Sequence, residues 1–227
     1  MSVYIHGGLR SPIGVLNGQY KHMRPEILGS QVIDEIINRY TISHIDGIFC
    51  GNAVGTGGNL GRLMGLMCNL PNSVPAITVD MQCASALMSI EIAYAHIVSG
   101  IMDSAIAGGI ESSSLQPERV YASGDDREGP YKVAQFTPQD QSPLAMLKGA
   151  ERTIHKYNVT KEDLYPHIIG SHQRASAALD NPYLQSYIMP ITIDGKRCID
   201  ECIRPTMNEK LLSRMKPLLG ADSITNA

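Results

Sequence analysis

Among the side chains that can do covalent chemistry, the five cysteines at 50, 68, 83, 198 and 202 come first, and one of them has neighbours suited to a nucleophile. Cys83 lies in the run TVDMQCASA from Thr78 to Ala86, which reads as strand, tight turn and helix start. A thiol at that junction meets unpaired N–H groups and the positive end of a helix dipole, both of which favour negative charge and strengthen the nucleophile. The small residues Ala84, Ser85 and Ala86 leave room for a substrate carbonyl, and the Cys83 amide could donate to the oxyanion formed on it. A second account fits the same residue: a small, buried, apolar side chain, as free cysteines often are.

The other reactive groups are less suggestive. Cys198 and Cys202 form a C-I-D-E-C pair with no second Cys or His pair nearby, so ordinary thiols are expected rather than a zinc site. Seven scattered histidines include no H-x-x-x-H pair on a helix, and no metal is expected. The loop GNAVGTGGNLGR from Gly51 to Arg62 lacks the G-x-x-x-x-G-K-[ST] phosphate pattern and reads as a connector or subunit contact. Segment 196–216 carries six Lys/Arg against three Asp/Glu, which suits either a solvated face or an anionic-ligand site.

The elements that must hold Cys83 follow from periodicity. Val3–Ile5, Ile45–Cys50, Ile77–Asp80 and Asp103–Ala107 are expected strands, and Ile188–Ile193 a fifth, with a turn at Asp194 and Gly195. Helices are expected after Pro25, through Leu63 to Met67, and behind Cys83. Alternation of strand and helix is the pattern of an α/β domain, in which sites gather beyond the carboxyl ends of parallel strands. The loops 7–18, 51–62, 80–83 and 108–114 should therefore converge. The helix behind Cys83 has Leu87, Met88, Ile90, Ile92, Tyr94, Ile97 and Val98 around its circumference, so it is expected to be a central layer covered on both sides. Residues 1–112 and 188–227 are expected to form the α/β domain, and 113–187 an inserted loop lobe with helical patches near 144–157 and 160–178. Thr160 and Asp163 supply a capping box for the second patch.

Composition narrows the function. The chain has 227 residues, 43% of them hydrophobic, and a formal charge of −3 without Lys/Arg runs or Trp, which argues against nucleic-acid or membrane-surface partners. No window supports a membrane span and no signal peptide is evident, so a cytoplasmic location is expected. The odd number of cysteines at irregular spacing argues against a disulfide framework.

Taken together, the motifs resemble those of the thiolases, acyl-CoA acyltransferases that work through a nucleophilic cysteine. RSPIG from Arg10 to Gly14 is similar to R-T-P-x-G; GNAV from Gly51 and GNLGR from Gly58 are similar to G-N-V and G-Q-N-x-x-R. CASAL from Cys83 resembles C-x-S-G-L with Ala86 in place of glycine, and GGIES from Gly108 resembles G-G-x-E-S. Met146, Ala150 and Glu151 resemble M-G-x-T-A-E, and Arg204 and Met215, Lys216 and Pro217 continue the likeness.

The resemblance implies a thiolase-like N-terminal half: an α/β fold with a mixed, mostly parallel five-stranded sheet, helices and an inserted loop lobe. In that family the helix behind the cysteine lies between the sheets of both halves, so this chain is expected to cover one side of it and to expose an apolar surface on the other. It implies Cys83 as the acyl-accepting nucleophile, Met146 as a wall of the acyl and pantetheine tunnel, and Arg204 as a contact to the nucleotide end of coenzyme A. Coenzyme A thioesters would be substrates, with no permanently bound cofactor. Ala145 and Leu211 depart from the His and Ser that many or some thiolases have there. Ser223–Ala227 is similar to the T-V-T-A-G-N at which the second thiolase half begins, and the N-E-A-F, G-H-P and C-x-G motifs of that half are missing. The expected activity is therefore formation or cleavage of 3-ketoacyl-CoA once a complementary C-terminal half or second subunit is present, in a homo- or hetero-oligomer, with little turnover by the chain alone. The alternatives are a non-catalytic thiolase-like assembly subunit and an inactive truncated product.

Overall fold

In the computed structural model, residues 2–55, 57–135, 137–138 and 142–219 are described. The chain divides into two compact units, one of residues 1–117 and 186–202, the other of 118–185 and 203–227. Ser223–Ala227, which carries the likeness to the start of a second thiolase half, lies outside the described residues.

The first unit is built on three parallel strands, β1 (Gly47–Gly51), β2 (Ala76–Val79) and β3 (Ala105–Gly109), in the order β2-β1-β3. Cys50 pairs with Thr78 on one side and Gly108 on the other. Parallel neighbours need crossovers, and helices α1 (Pro25–Arg39), α2 (Leu60–Met67) and α3 (Ser85–Val98) accompany them. Pro25 opens α1, where its missing N–H costs nothing. The Asn59 side chain accepts from the Arg62 amide at the start of α2.

Alternation along β1 sends its side chains to opposite faces. Ile48 and Cys50 join Ile33 of α1, Met64 of α2 and Ala76 of β2 in the main core. Phe49 turns the other way and meets the His96 ring of α3 edge-on at 5.1 Å. The sheet is thus sandwiched between α1 with α2 and α3, an α/β architecture as expected.

Two of the five expected strands do not join this sheet. Val3–Ile5 forms no strand, and Tyr4 and Ile5 are 84% and 89% exposed. Thr192–Ile193 folds back on Lys196–Arg197 as an antiparallel hairpin, because Asp194 (φ 49°) and Gly195 (φ 75°) make the tight turn read from the sequence. An isolated parallel bridge joins Arg10, five residues past Ile5, to Ile188 at the start of the expected fifth strand. Met189, Ile191 and Cys198 instead build a second core cluster with Leu28 of α1.

The helix behind Cys83 is covered on one side only, as the likeness to a single thiolase half implies, and not on both as its apolar circumference alone suggests. Its sheet-facing stripe is made of small residues, Ser85, Ser89 and Ala93, all buried, while the large side chains Leu87, Ile90, Tyr94 and Val98 are 68%, 46%, 55% and 40% exposed. Spacing of four puts the small residues on one line, and that line lets the helix press close to the sheet. A Cβ placed on Gly51 would lie 2.4 Å from the Ala86 nitrogen, and one on Gly109 2.9 Å from the Ala86 Cβ. The chain covers one side of this helix and leaves the other, mostly apolar apart from Glu91, open.

The second unit contains α4 (Ala145–Lys156) and α5 (Lys161–Leu179), with a two-residue hairpin pairing Arg119–Val120 and Pro130–Tyr131. The capping box at α5 is present: Thr160 Oγ1 accepts from the Asp163 amide, and the Asp163 carboxylate accepts from the Thr160 amide at 2.8 Å. Tyr121 and Tyr131 stack at 4.2 Å, and Arg127 lies over the Tyr121 ring.

Candidate active site

β1, β2 and β3 end together at Gly51, Val79 and Gly109, and the loops that follow are tied to one another. The Asn52 amide donates to the Val79 carbonyl, and the Ile110 amide to the Gly51 carbonyl. Glu111, just past β3, accepts from the Asn52 side chain at 3.0 Å and from the Ala53 and Val54 amides at 3.0 and 2.7 Å. A carboxylate taking main-chain N–H groups in this way fixes loop 51–54 against 109–111.

Beyond β2, Asp80 opens the turn that delivers Cys83. Asp80 accepts from the Gln82 amide at 2.9 Å, and Gln82 itself adopts a left-handed backbone with φ 53°. Ser85, in the first turn of α3 and 5% exposed, accepts from the Met81 amide at 2.8 Å and donates to the Gln82 carbonyl at 2.6 Å. Cys83 emerges from this turn exposed. The buried-cysteine account is therefore set aside, since Cys83 belongs to neither core cluster. Below, the fully buried Ser89 hydroxyl sits 2.7 Å from the Ala86 carbonyl and 2.8 Å from that of Gly108, fastening α3 to β3.

The other cysteines differ. Cys50, Cys68 and Cys198 are buried, and burial pushes the Cys50 thiol up to about 11 and that of Cys68 up to about 12. Cys202 is exposed.

Loop 10–19 reaches the same end of the unit by other ties. Arg10 makes a bidentate pair with Asp200 at 2.8 and 2.7 Å, and the Ile13 amide donates to the same carboxylate. Glu201 accepts from the Val15 and Gln19 amides. The Arg10 guanidinium, aided by the Ile13 amide and opposed by partial burial, holds the Asp200 carboxyl below the usual range. The Asn17 amide donates to Ser114, which joins loop 10–19 to the loop after β3. Between them, α1 and β3 lies a cavity of about 410 Å³, lined by Ile13, Leu28, Ile33, Cys50, Ile106 and Ile110 among others. Its lining does not include Cys83.

Residues 3–227 match the family model described as thiolase, N-terminal domain. The chain belongs to the thiolase family. Thiolase relatives include a Staphylococcus epidermidis protein named as an acetyl-CoA C-acetyltransferase, VraB, 33% identical over 95% of this chain and 58% of that protein. The Staphylococcus aureus protein of the same name is 32% identical over 96% and 59%. The crystal structure of the Bacillus anthracis acetyl-CoA acetyltransferase superposes with a TM-score of 0.85 at 25% identity, over 97% of this chain and 60% of that one. The chain thus spans about three fifths of the length of these thiolases.

Of the three residues singled out by likeness to thiolases, Cys83 is in the first unit and Met146 and Arg204 are in the second. Met146 stands on α4 and is 68% exposed. Arg204 has an exposed side chain, while its amide donates to His172 Nδ1 at 3.2 Å. Among the described residues, no group of three or more His, Cys, Asp or Glu could hold a metal ion, and no helix is long and apolar enough to cross a membrane. The sequence does not single out the Ser85 hydroxyl and left-handed Gln82 that shape the Cys83 turn, or the Glu111 clamp on the neighbouring loop 51–54. Ser85 was visible only as a small neighbour, and Glu111 only as a letter in a motif.

Proposed function

We propose that this chain is the nucleophile-bearing portion of a thiolase-type acyl-CoA acyltransferase, with Cys83 as the acyl acceptor. The observation that carries this reading is the exposed thiol at the head of α3, beyond the carboxyl ends of three parallel strands. Membership of the thiolase family supports it, as do relatives named as acetyl-CoA C-acetyltransferases. Cys83 sulfur attacks the thioester carbonyl of acyl-CoA; a new C–S bond forms, the bond to the coenzyme A sulfur breaks, and the Cys83 proton leaves with coenzyme A as its thiol. A second acyl-CoA then gives up its α-proton, its α-carbon bonds to the acyl carbonyl carbon as the bond to the Cys83 sulfur breaks, and the sulfur takes a proton to restore the thiol, giving 3-ketoacyl-CoA; the reverse sequence cleaves it. Met146 and Arg204 are proposed to contact the acyl-pantetheine and nucleotide parts of the substrate.

The partner proposed is the complementary portion of a thiolase, as a separate chain or as further sequence. The stripe Leu87, Ile90, Tyr94 and Val98, flanked by the exposed Glu91 and continued by Ile101 at 67% exposure, supports this, since exposed apolar side chains grouped in this way mark an interaction surface. Site-resolved mass spectrometry after incubation with acetyl-CoA tests the reading. Acetylation of Cys83 is expected, with none in Cys83→Ala. A complex that forms with the complementary portion and has the same activity with and without the Cys83 thiol would refute the acyltransferase role and leave a non-catalytic assembly subunit.

A further inference from the structure

The Ser85 hydroxyl occupies an unusual position in the turn that carries Cys83. It accepts from the amide of the Asp80–Met81 peptide and donates to the carbonyl of the Gln82–Cys83 peptide, so one oxygen holds two peptide planes on either side of the left-handed Gln82. A left-handed glutamine is strained, and such a conformation persists when its surroundings fix it. The surroundings here are the Asp80 carboxylate on the Gln82 amide, and Ser85 on the flanking groups.

The second peptide held by Ser85 is also the one that carries the Cys83 N–H. In a trans peptide the C=O and N–H point in opposite directions. With the Gln82 carbonyl drawn toward Ser85 by both the hydroxyl at 2.6 Å and the Ser85 amide at 3.1 Å, the Cys83 amide is turned away from the first turn of α3. A donor beside the attacking sulfur and free to face outward is what a developing oxyanion needs.

We infer that Ser85 is a positioning residue for acyl transfer: by anchoring the Gln82 carbonyl it aims the Cys83 amide at the oxyanion formed when Cys83 attacks a thioester. The inference rests on the assignment of Cys83 as acyl acceptor. It separates two properties of one cysteine. Attack on a carbonyl develops an oxyanion and depends on the amide direction, whereas alkylation by iodoacetamide displaces iodide at a saturated carbon and needs no such donor.

The test compares the full chain with Ser85→Ala, Ser85→Thr and Ser85→Cys in two site-resolved reactions at Cys83. One is acetylation by phenyl thioacetate, a thioester without a nucleotide handle, and the other is alkylation by iodoacetamide. Ser85→Ala is expected to slow acetylation about tenfold or more while alkylation stays within about threefold. Ser85→Thr, which keeps a hydroxyl, restores acetylation. Should the alanine variant not fold, Ser85→Cys keeps the side-chain volume with a weaker donor and reports the same split. Equal losses in both reactions, or no loss of acetylation, would overturn the proposal, as would a native chain that phenyl thioacetate does not acetylate at Cys83. A chain acetylated by phenyl thioacetate but not by acetyl-CoA tells against the coenzyme A reading and leaves the role of Ser85 standing.

Discussion

Gly51→Ala probes the packing that places Cys83. Gly51 ends β1 beneath the first turn of α3, and an added Cβ would stand 2.4 Å from the Ala86 nitrogen, 2.5 Å from the Ser85 carbonyl carbon and 2.8 Å from the Ala86 Cα. Comfortable contacts between such atoms are about 3.5 Å, so roughly 1 Å of separation has to be found. All three atoms are main chain and no rotamer change can clear them. The helix start must shift as a body, and Gly109 packs against the same Ala86 from the neighbouring strand. Overpacking of this kind costs about 1–3 kcal/mol, and a clash with main chain alone belongs near the top of that range. At a urea dependence of about 2 kcal/mol per molar, that is a fall of roughly 1–1.5 M in the unfolding midpoint. Gly108→Ala is the matched control on the next strand. A Cβ there meets nothing within 4 Å and its φ is not left-handed, so a change within about 0.5 kcal/mol is expected. Urea titrations of the three proteins decide the matter. A Gly51→Ala variant as stable as the native chain, or a Gly108→Ala variant equally damaged, would refute the claim that close helix-to-sheet approach positions the nucleophile.

Further expectations concern the same framework. Ser89→Ala should cost about 1–2 kcal/mol in thermal or urea unfolding, because it removes the buried hydroxyl between the Ala86 and Gly108 carbonyls. Thiol labelling of the native chain should modify Cys83 and Cys202 quickly and spare Cys50, Cys68 and Cys198 until denaturant is added, reflecting burial and the raised Cys50 and Cys68 thiols. Rapid native labelling of Cys50 would show the core placed wrongly. Asp200→Asn should destabilise the chain at pH 7 by about 1.5–3 kcal/mol through loss of the charged pair with Arg10. The Asp200 carboxyl is depressed in the folded state, so its contribution is present above the unfolded value near 4 and lost as pH falls through the folded one. The native and Asp200→Asn midpoints should therefore converge in acid, and a gap that stays constant down to pH 2 would contradict the assignment. Replacing Leu87 by Glu and Tyr94 by Lys together should reduce dye binding to exposed apolar surface while leaving Cys83 alkylation unchanged, since both side chains face away from the sheet. Unchanged dye binding would place the apolar surface elsewhere.

Local chemistry accounts for what the sequence by itself determined. The strand at Gly47–Gly51 lies within two residues of its expected place, Pro25 opens α1, and the Thr160 and Asp163 capping box starts α5. The turn at Asp194 and Gly195 forms where that dipeptide demands it. Each rests on neighbours in the chain, which is why periodicity and end signals suffice. The position of Cys83 between strand and helix was legible for the same reason. Tertiary structure alone decided the rest. Arg10 finds Asp200 across 190 residues, and Glu111 finds Asn52 across 59. An apolar circumference on α3 pointed to a helix covered all round. Which face goes inward was set by Gly51 and Gly109, distant glycines that let Ser85, Ser89 and Ala93 approach the sheet and turn the larger residues outward. Side-chain hydrophobicity along a helix does not encode how closely a sheet can be approached. That closeness depends on what stands opposite, and it is the closeness that puts the Ser85 hydroxyl under the turn and Cys83 in the open.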